Sequence, residues 1–389
     1  MSKILLLIIY ISFISLGLPD SLLGSAWPSM YTGLFVPVSY AGALSLIIAG
    51  GTIISSLSSQ KNIRRFGTGI VTVISVLMTA VALFGFSVTN RFMALCIWAV
   101  PLGVGAGSVD AALNNYVALH YKAKHMNWLH CFWGIGATMG PVIMSFCLLN
   151  LGSWHSGYRT ISIIQFCLVA SLFFSLPLWK KVAGKASQPD ATNKPPLKFS
   201  QLLRLPGAKS ALLAFFCYCS VEATAGLWGS SYLVIVKGIP SETAAKWIAL
   251  YYFGITFGRL LSGFLTMKFN HCQLIRLGQG ILAVGVVLLL LPFENVSWLG
   301  GFFLIGLGCA PIFPGLLHET PVNFGSEHSQ AIMGIQMACA YSGSTFMSPL
   351  FGIIASHISY KLFPIYIGIL LIVMVMTVET LNKKVAAAH

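Results

Sequence analysis

The sequence predicts an all-α integral membrane protein: twelve spanning helices in two pseudo-symmetric halves of six. Three observations carry this. Charged residues make up 8% of the 389 positions and hydrophobic residues 57%. Soluble domains are about 25% charged, so a soluble core could not hide this much apolar surface. The apolar residues also come in unbroken runs such as GILAVGVVLLLLPF, where a spanning barrel would alternate apolar and polar. Finally, Lys61, Arg64, Arg65, Lys122, Lys124, Lys180, Lys181, Lys268, Arg276, Lys383 and Lys384 fall in alternate loops, the positive-inside pattern.

A helix needs about 20 apolar residues to cross a bilayer. That length marks spans near residues 4–26, 38–59, 68–89, 92–120, 127–150, 158–180, 209–235, 245–268, 272–292, 296–317, 328–356 and 360–381. The first carries Pro19 and Asp20. The second ends on Lys61, Arg64 and Arg65, and the third runs from that cluster to Arg91. The fourth carries a GxGxG run (Gly103, Gly105, Gly107) and Asp110. HMNWLHCFWGIGATMGP opens the fifth, and the sixth holds Gln165 and ends on Lys180 and Lys181. Span seven holds Glu222, and span eight Arg259. Span nine follows Lys268, Pro311 and Pro314 interrupt span ten, Gln336 is mid-span in eleven, and twelve ends at Lys383 and Lys384. With basic loops inside, both termini are expected in the cytoplasm of a multi-pass cell-membrane protein.

The one long connection, KKVAGKASQPDATNKPPLKFSQLLRLPGAKS, is rich in Lys, Pro and small polar residues and reads as a cytoplasmic linker. It divides the chain into an N-terminal bundle (1–180), a linker (181–208) and a C-terminal bundle (209–389). The bundles align at an offset of about 203 residues. RRF meets MKF, LGVGAG meets IGLGCA, His125 meets His328, and Asp20 falls within a residue of Glu222. Two related six-span halves are the architecture of secondary transporters, with the substrate site near the midplane.

Several function classes are excluded. The net charge of +14 is a topology signal, so no nucleic-acid partner is expected. The nine Cys show no CxxC and no ligand spacing, so neither a disulfide framework nor a metal site is read from them. His120, His125 and His130 are five apart and do not share a helix face. The GxGxG run lies inside a span and follows no strand, so it is read as close helix packing rather than a nucleotide loop. GxxxxGK[ST] is absent, and no catalytic residue, enzyme activity or cofactor is expected.

The acids point to chemistry. Asp190, Glu242, Glu294, Glu319, Glu327 and Glu379 lie in loops or at span ends, leaving Asp20, Asp110 and Glu222 deep. A carboxylate at a span centre costs about 2.5–3.5 kcal/mol to insert, and such residues mark ion pathways or proton relays. These three are the candidates for proton coupling, with Na⁺ as the alternative ion. The competing reading is a protonated carboxyl that bonds a neighbouring helix, and it weighs most for Glu222.

Asn114 lies four residues after Asp110 and shares its helix face, a carboxyl–carboxamide pair suited to a polyol. Asn127, His130, Trp133 or Gly134, and Ala137 form one stripe of span five, where Trp can stack on a sugar ring and Asn and His can bond hydroxyls. The competing reading, of equal weight, is that Trp128 anchors the interface and His130 merely packs. Gln165, Trp228 and Gln336 complete the substrate candidates, each equally suited to packing. Arg259 is read as a structural tie between inner helix ends. Pro19, Pro311 and Pro314 mark bends available to gating, with a static kink as the alternative. Trp27, two turns after Asp20, is expected along the same cavity-lining face.

GLPDSLLGSAWP, GSVDAALNNYV, HMNWLHCFWGIGATMGP and GLGCAPIFPG carry a resemblance. On these segments the whole chain resembles the major facilitator superfamily and, within it, the fucose/proton symporter family and its glucose transporter-like relatives. The resemblance implies that Asp20 is the proton-responsive acid, and that Asp110 with Asn114 serves sugar binding and coupling. It assigns nothing to Glu222. The loop between spans two and three, SLSSQKNIRRFGTG, departs from the superfamily by lacking its acid. The resulting expectation is a monomeric, proton-coupled symporter of a hexose-like sugar. A proton-coupled drug or metabolite efflux antiporter is the alternative. A non-transporting sensor is disfavoured, because no sizeable soluble domain exists to carry a signal.

Overall fold

A computed structural model describes residues 3–120, 123–183, 202–291, 293 and 295–387. Side chains at 3, 57, 60, 61, 64, 115, 118–120, 123, 124, 126, 127, 180–183 and 326–331 lie outside the description, as do most of the linker, the Asn127 side chain and that of His328.

The described chain is helical: α1 (Lys3–Asp20), α2 (Leu22–Leu34), α3 (Tyr40–Phe66), α4 (Thr68–Val88), α5 (Phe92–His120), α6 (Ala123–Leu151), α7 (Trp154–Ala183), α8 (Ala208–Lys237), α9 (Ser241–Leu265), α10 (His271–Leu290), α11 (Val296–Cys309), α12 (Ile312–Phe324), α13 (Ser326–His357), a 3₁₀ turn (Tyr360–Leu362) and α14 (Phe363–Ala386). Ten segments among the described residues are long and apolar enough to cross a membrane, and Tyr40–Ser56 is a shorter apolar stretch. The twelfth is α13, whose Gly, Ser, Gln and Ala content dilutes its hydropathy.

Two spans are broken. Span one extends to Leu34, well past its expected end, and is split between α1 and α2 at Ser21, just after Pro19 and Asp20. Span ten is split between α11 and α12, where Pro311 stands as the N-cap of α12 and Pro314 lies in its first turn. Proline has no N–H to give the carbonyl four residues earlier.

Two compact units result: Met1–Pro189 with Leu233–Ala249, and Asp190–Tyr232 with Leu250–His389. Within each unit the glycines of spans four and ten set the packing. A Cβ on Gly103 would strike the Ile48 carbonyl, and one on Gly105 would lie 2.6 Å from the Ser75 carbonyl. In the second unit Gly306 meets the Tyr251 carbonyl, and Gly308 meets that of Gly278. Ile48 and Tyr251, Ser75 and Gly278, Gly103 and Gly306, and Gly105 and Gly308 are all related by the offset of about 203 residues. The repeat thus extends to individual backbone contacts, and the GxGxG run is a packing device that turns alternate glycines toward α3 and α4.

Candidate functional site

The first unit holds two of the three deep acids. Asp20 ends α1 at the helix break. Close approach of α1 and α6 sets its surroundings. A Cβ on Gly17 would lie 2.8 Å from the Ala137 nitrogen, and Gly140 approaches the Leu18 carbonyl just as closely. Gly136 and Gly140 of the GATMG segment therefore let α6 lie against α1, and that contact brings Trp133 to the acid. Trp133 Nε1 donates to Asp20 Oδ2 at 2.8 Å. Asp20 is exposed although it sits mid-span.

The expected pairing on α5 is present. Asn114 Nδ2 donates to Asp110 Oδ1 at 2.9 Å. Asn114 Oδ1 is buried and has no hydrogen-bond partner among the described residues. Buried polar atoms are normally satisfied, and this carbonyl is one of several buried side-chain atoms among the described residues that are not.

The span-five stripe points at α1. His130 meets the edge of Phe13 at 5.9 Å between ring centroids, Trp133 reaches Asp20, and Ala137 packs on Gly17. His125 also meets α1, with Nδ1 2.7 Å from Tyr10 Oη. Trp128 is 59% exposed, as an interface anchor would be.

Gln165 is occupied. Its Nε2 donates to the Ser15 carbonyl at 2.8 Å, and its Oε1 accepts from Thr79 Oγ1 at 2.8 Å. Ser15 is four residues before Pro19, so its carbonyl is the one the proline leaves without a helical donor. Gln165 therefore repairs the break beside Asp20. Sequence reasoning marked Pro19 and Gln165 and could not join them through Ser15, because the link spans α1 and α7.

In the second unit, Glu222 Oε1 lies 3.6 Å from Arg259 Nη2, with both side chains largely buried. Tyr251 Oη donates to the Glu222 carbonyl at 2.9 Å. Arg259 thus ties α9 to α8 through an acid that the sequence reading had considered on its own. Trp228 is fully buried, and its Nε1 donates to the Ser348 carbonyl at 2.7 Å. Trp27 is likewise buried, donating to the Val38 carbonyl at 2.6 Å. Both indoles are fully buried within their own units. Gln336 is buried and accepts from Thr320 Oγ1 at 3.0 Å.

Known proteins similar to this chain identify its family. The family model described as Major Facilitator Superfamily matches residues 9–314 and 238–384. The glucose/mannose transporter GlcP of Bacillus subtilis (strain 168) is 22% identical over 354 residues, covering 88% of this chain and 86% of that protein. A solved structure of a mutant of the nucleoside transporter NupG matches with a TM-score of 0.74 at 14% identity, over 95% of this chain and 98% of the other. A solved D-xylose-proton symporter matches with a TM-score of 0.73 at 13% identity, over 96% and 97%. At such identities the structures speak for the fold. With the family match running over nearly the whole length, this multi-pass membrane protein belongs to the major facilitator superfamily and is a transporter rather than an enzyme.

Proposed function

We propose that the protein is a proton-coupled symporter of a hexose-like sugar, working by alternating access as a monomer in the cell membrane with both termini in the cytoplasm. The observation that carries the reading is the unpartnered Asn114 Oδ1 beside Asp110, which gives a sugar hydroxyl a waiting acceptor and an adjacent carboxyl. Asp20 supplies the coupling group. It is exposed mid-span, where a carboxylate faces water or protein rather than lipid. Trp133 offers its indole N–H to this carboxyl, a hydrogen bond that is strongest when its acceptor is charged.

The pairing of Glu222 with Arg259 favours a sugar over a lipophilic cation, because one of the three deep acids is already matched by a positive charge. The glucose/mannose transporter among the similar proteins supports the same choice.

Proteoliposomes test it. A hexose panel is offered under an imposed inward proton gradient and, separately, under an inward Na⁺ gradient. Proton-driven accumulation is expected. It should be lost in Asp20→Asn and in Asp110→Asn, with energy-independent exchange surviving in one of them. Uptake driven by Na⁺ alone would overturn proton coupling. Export of lipophilic cations without hexose uptake would overturn the sugar, and normal accumulation by both variants would overturn the roles given to these acids.

A further inference from the structure

The second unit holds a cluster with no part in this site. His271 opens α10, and His318 and Glu319 lie together on α12. One ligand atom from each comes within 4.8 Å of the other two. The imidazoles stack with centroids 4.1 Å apart and planes inclined by 26°. Gly315 explains the approach: a Cβ there would lie 2.9 Å from the Ile275 side chain, so α12 rests directly on the first turns of α10.

The His271 end is held in place. Asn270 caps α10 by accepting from the Gln273 amide at 2.8 Å, and Gln273 Oε1 returns the bond to the Asn270 amide at 3.1 Å. Arg276, the cation of the same helix, is engaged by both oxygens of Glu379 at 2.6 Å.

We propose that His271, His318 and Glu319 form a binding site for a divalent transition-metal ion of the zinc class. Two imidazoles and a carboxylate suit zinc, which places ligands about 2.0–2.2 Å away in a tetrahedron and accepts water as the fourth. Such ligands stand about 3.3 Å apart, so the cluster must contract by up to about 1.5 Å and the two rings must turn out of their stack to aim both lone pairs at one ion, which side-chain rotation supplies. Mg²⁺ and Ca²⁺ prefer all-oxygen sets and should be refused. The bound ion would join α10 to α12, the half of span ten that follows the Pro311 break. Searching the cysteines for metal spacing could not reveal this site, because its ligands are two histidines and a glutamate, and the sequence keeps His271 far from His318 and Glu319.

The full-length protein, purified without a polyhistidine tag, is titrated with Zn²⁺ against a fluorescent chelator, with Mg²⁺ as the control. One Zn²⁺ is expected to bind with micromolar affinity and to raise the unfolding midpoint, with no response to Mg²⁺. The His271→Ala/His318→Ala variant should weaken binding at least about tenfold and lose the rise. X-ray absorption of the zinc-loaded wild type needs no variant to fold, and should show two imidazoles with a nitrogen and oxygen shell at about 2.0–2.1 Å. No Zn²⁺ binding by the wild type, equal binding by the variant, or a sulfur-containing shell would overturn the site.

Discussion

Replacing Gln165 with leucine tests whether this amide supports the helix break beside Asp20 or contacts substrate. Pro19 leaves the Ser15 carbonyl without its helical donor, and Gln165 Nε2 supplies one at 2.8 Å. Leucine fills similar space and removes the donor, leaving a buried acceptor unmet at a cost of about 1–3 kcal/mol. Thr79 adds little to this, because its hydroxyl also donates to the Val76 carbonyl at 2.8 Å. The change therefore shifts the unfolding equilibrium by a factor of about 5–150. Pro19→Ala restores an N–H at residue 19 that can reach Ser15. In that background Gln165→Leu should cost much less, with a coupling energy of about 1–2 kcal/mol in the double-mutant cycle. Denaturation of the four purified proteins in detergent measures it, alongside sugar KM in proteoliposomes. Additivity within about 0.5 kcal/mol would refute the repair of the break. A raised KM at unchanged stability would return Gln165 to the substrate.

Two further outcomes follow from packing and charge. Gly278 and Gly280 both lie in α10, but a Cβ on Gly278 would come 2.6 Å from the Gly308 carbonyl, whereas one on Gly280 meets nothing within 4 Å. Gly280→Ala should be neutral or up to about 1 kcal/mol stabilising, and Gly278→Ala should fall below it by about 1–3 kcal/mol; equal midpoints would deny the close crossing. Arg259→Gln leaves the Glu222 carboxylate largely buried and unmatched, at a cost of about 1–3 kcal/mol given the partial exposure of the pair. Adding Glu222→Gln should recover most of that, and a double variant no more stable than the single one would show that the pair does not couple.

Much of the fold was legible because membrane insertion demands it. Unbroken apolar length marks helices, and loop charge marks their order, without reference to any distant residue. The offset repeat was legible for a related reason: Gly103 and Gly306, with Gly105 and Gly308, are small because another backbone lies against each of them. Asp20, Asp110 and Asn114 stood out because a polar group inside a span is costly, and the shared face that lets Asn114 bond Asp110 followed from helical spacing alone.

What joins one helix to another was not legible. Trp133 reaches Asp20, Gln165 reaches Ser15, Arg259 reaches Glu222, and Trp228 reaches Ser348. Each of these contacts depends on the rotation and crossing of two helices, which hydropathy leaves open. A tryptophan or glutamine in a span looks the same in sequence whether it faces substrate or spans a core. The sequence by itself determined how many helices cross, which half repeats which, and where charge is costly enough to need a purpose. Tertiary structure alone decided which of those polar groups the protein satisfies for itself and which, like the Asn114 carbonyl, it leaves unmet among the described residues. The reason is physical: burial follows from local composition, whereas hydrogen-bond satisfaction depends on what the neighbouring helix presents.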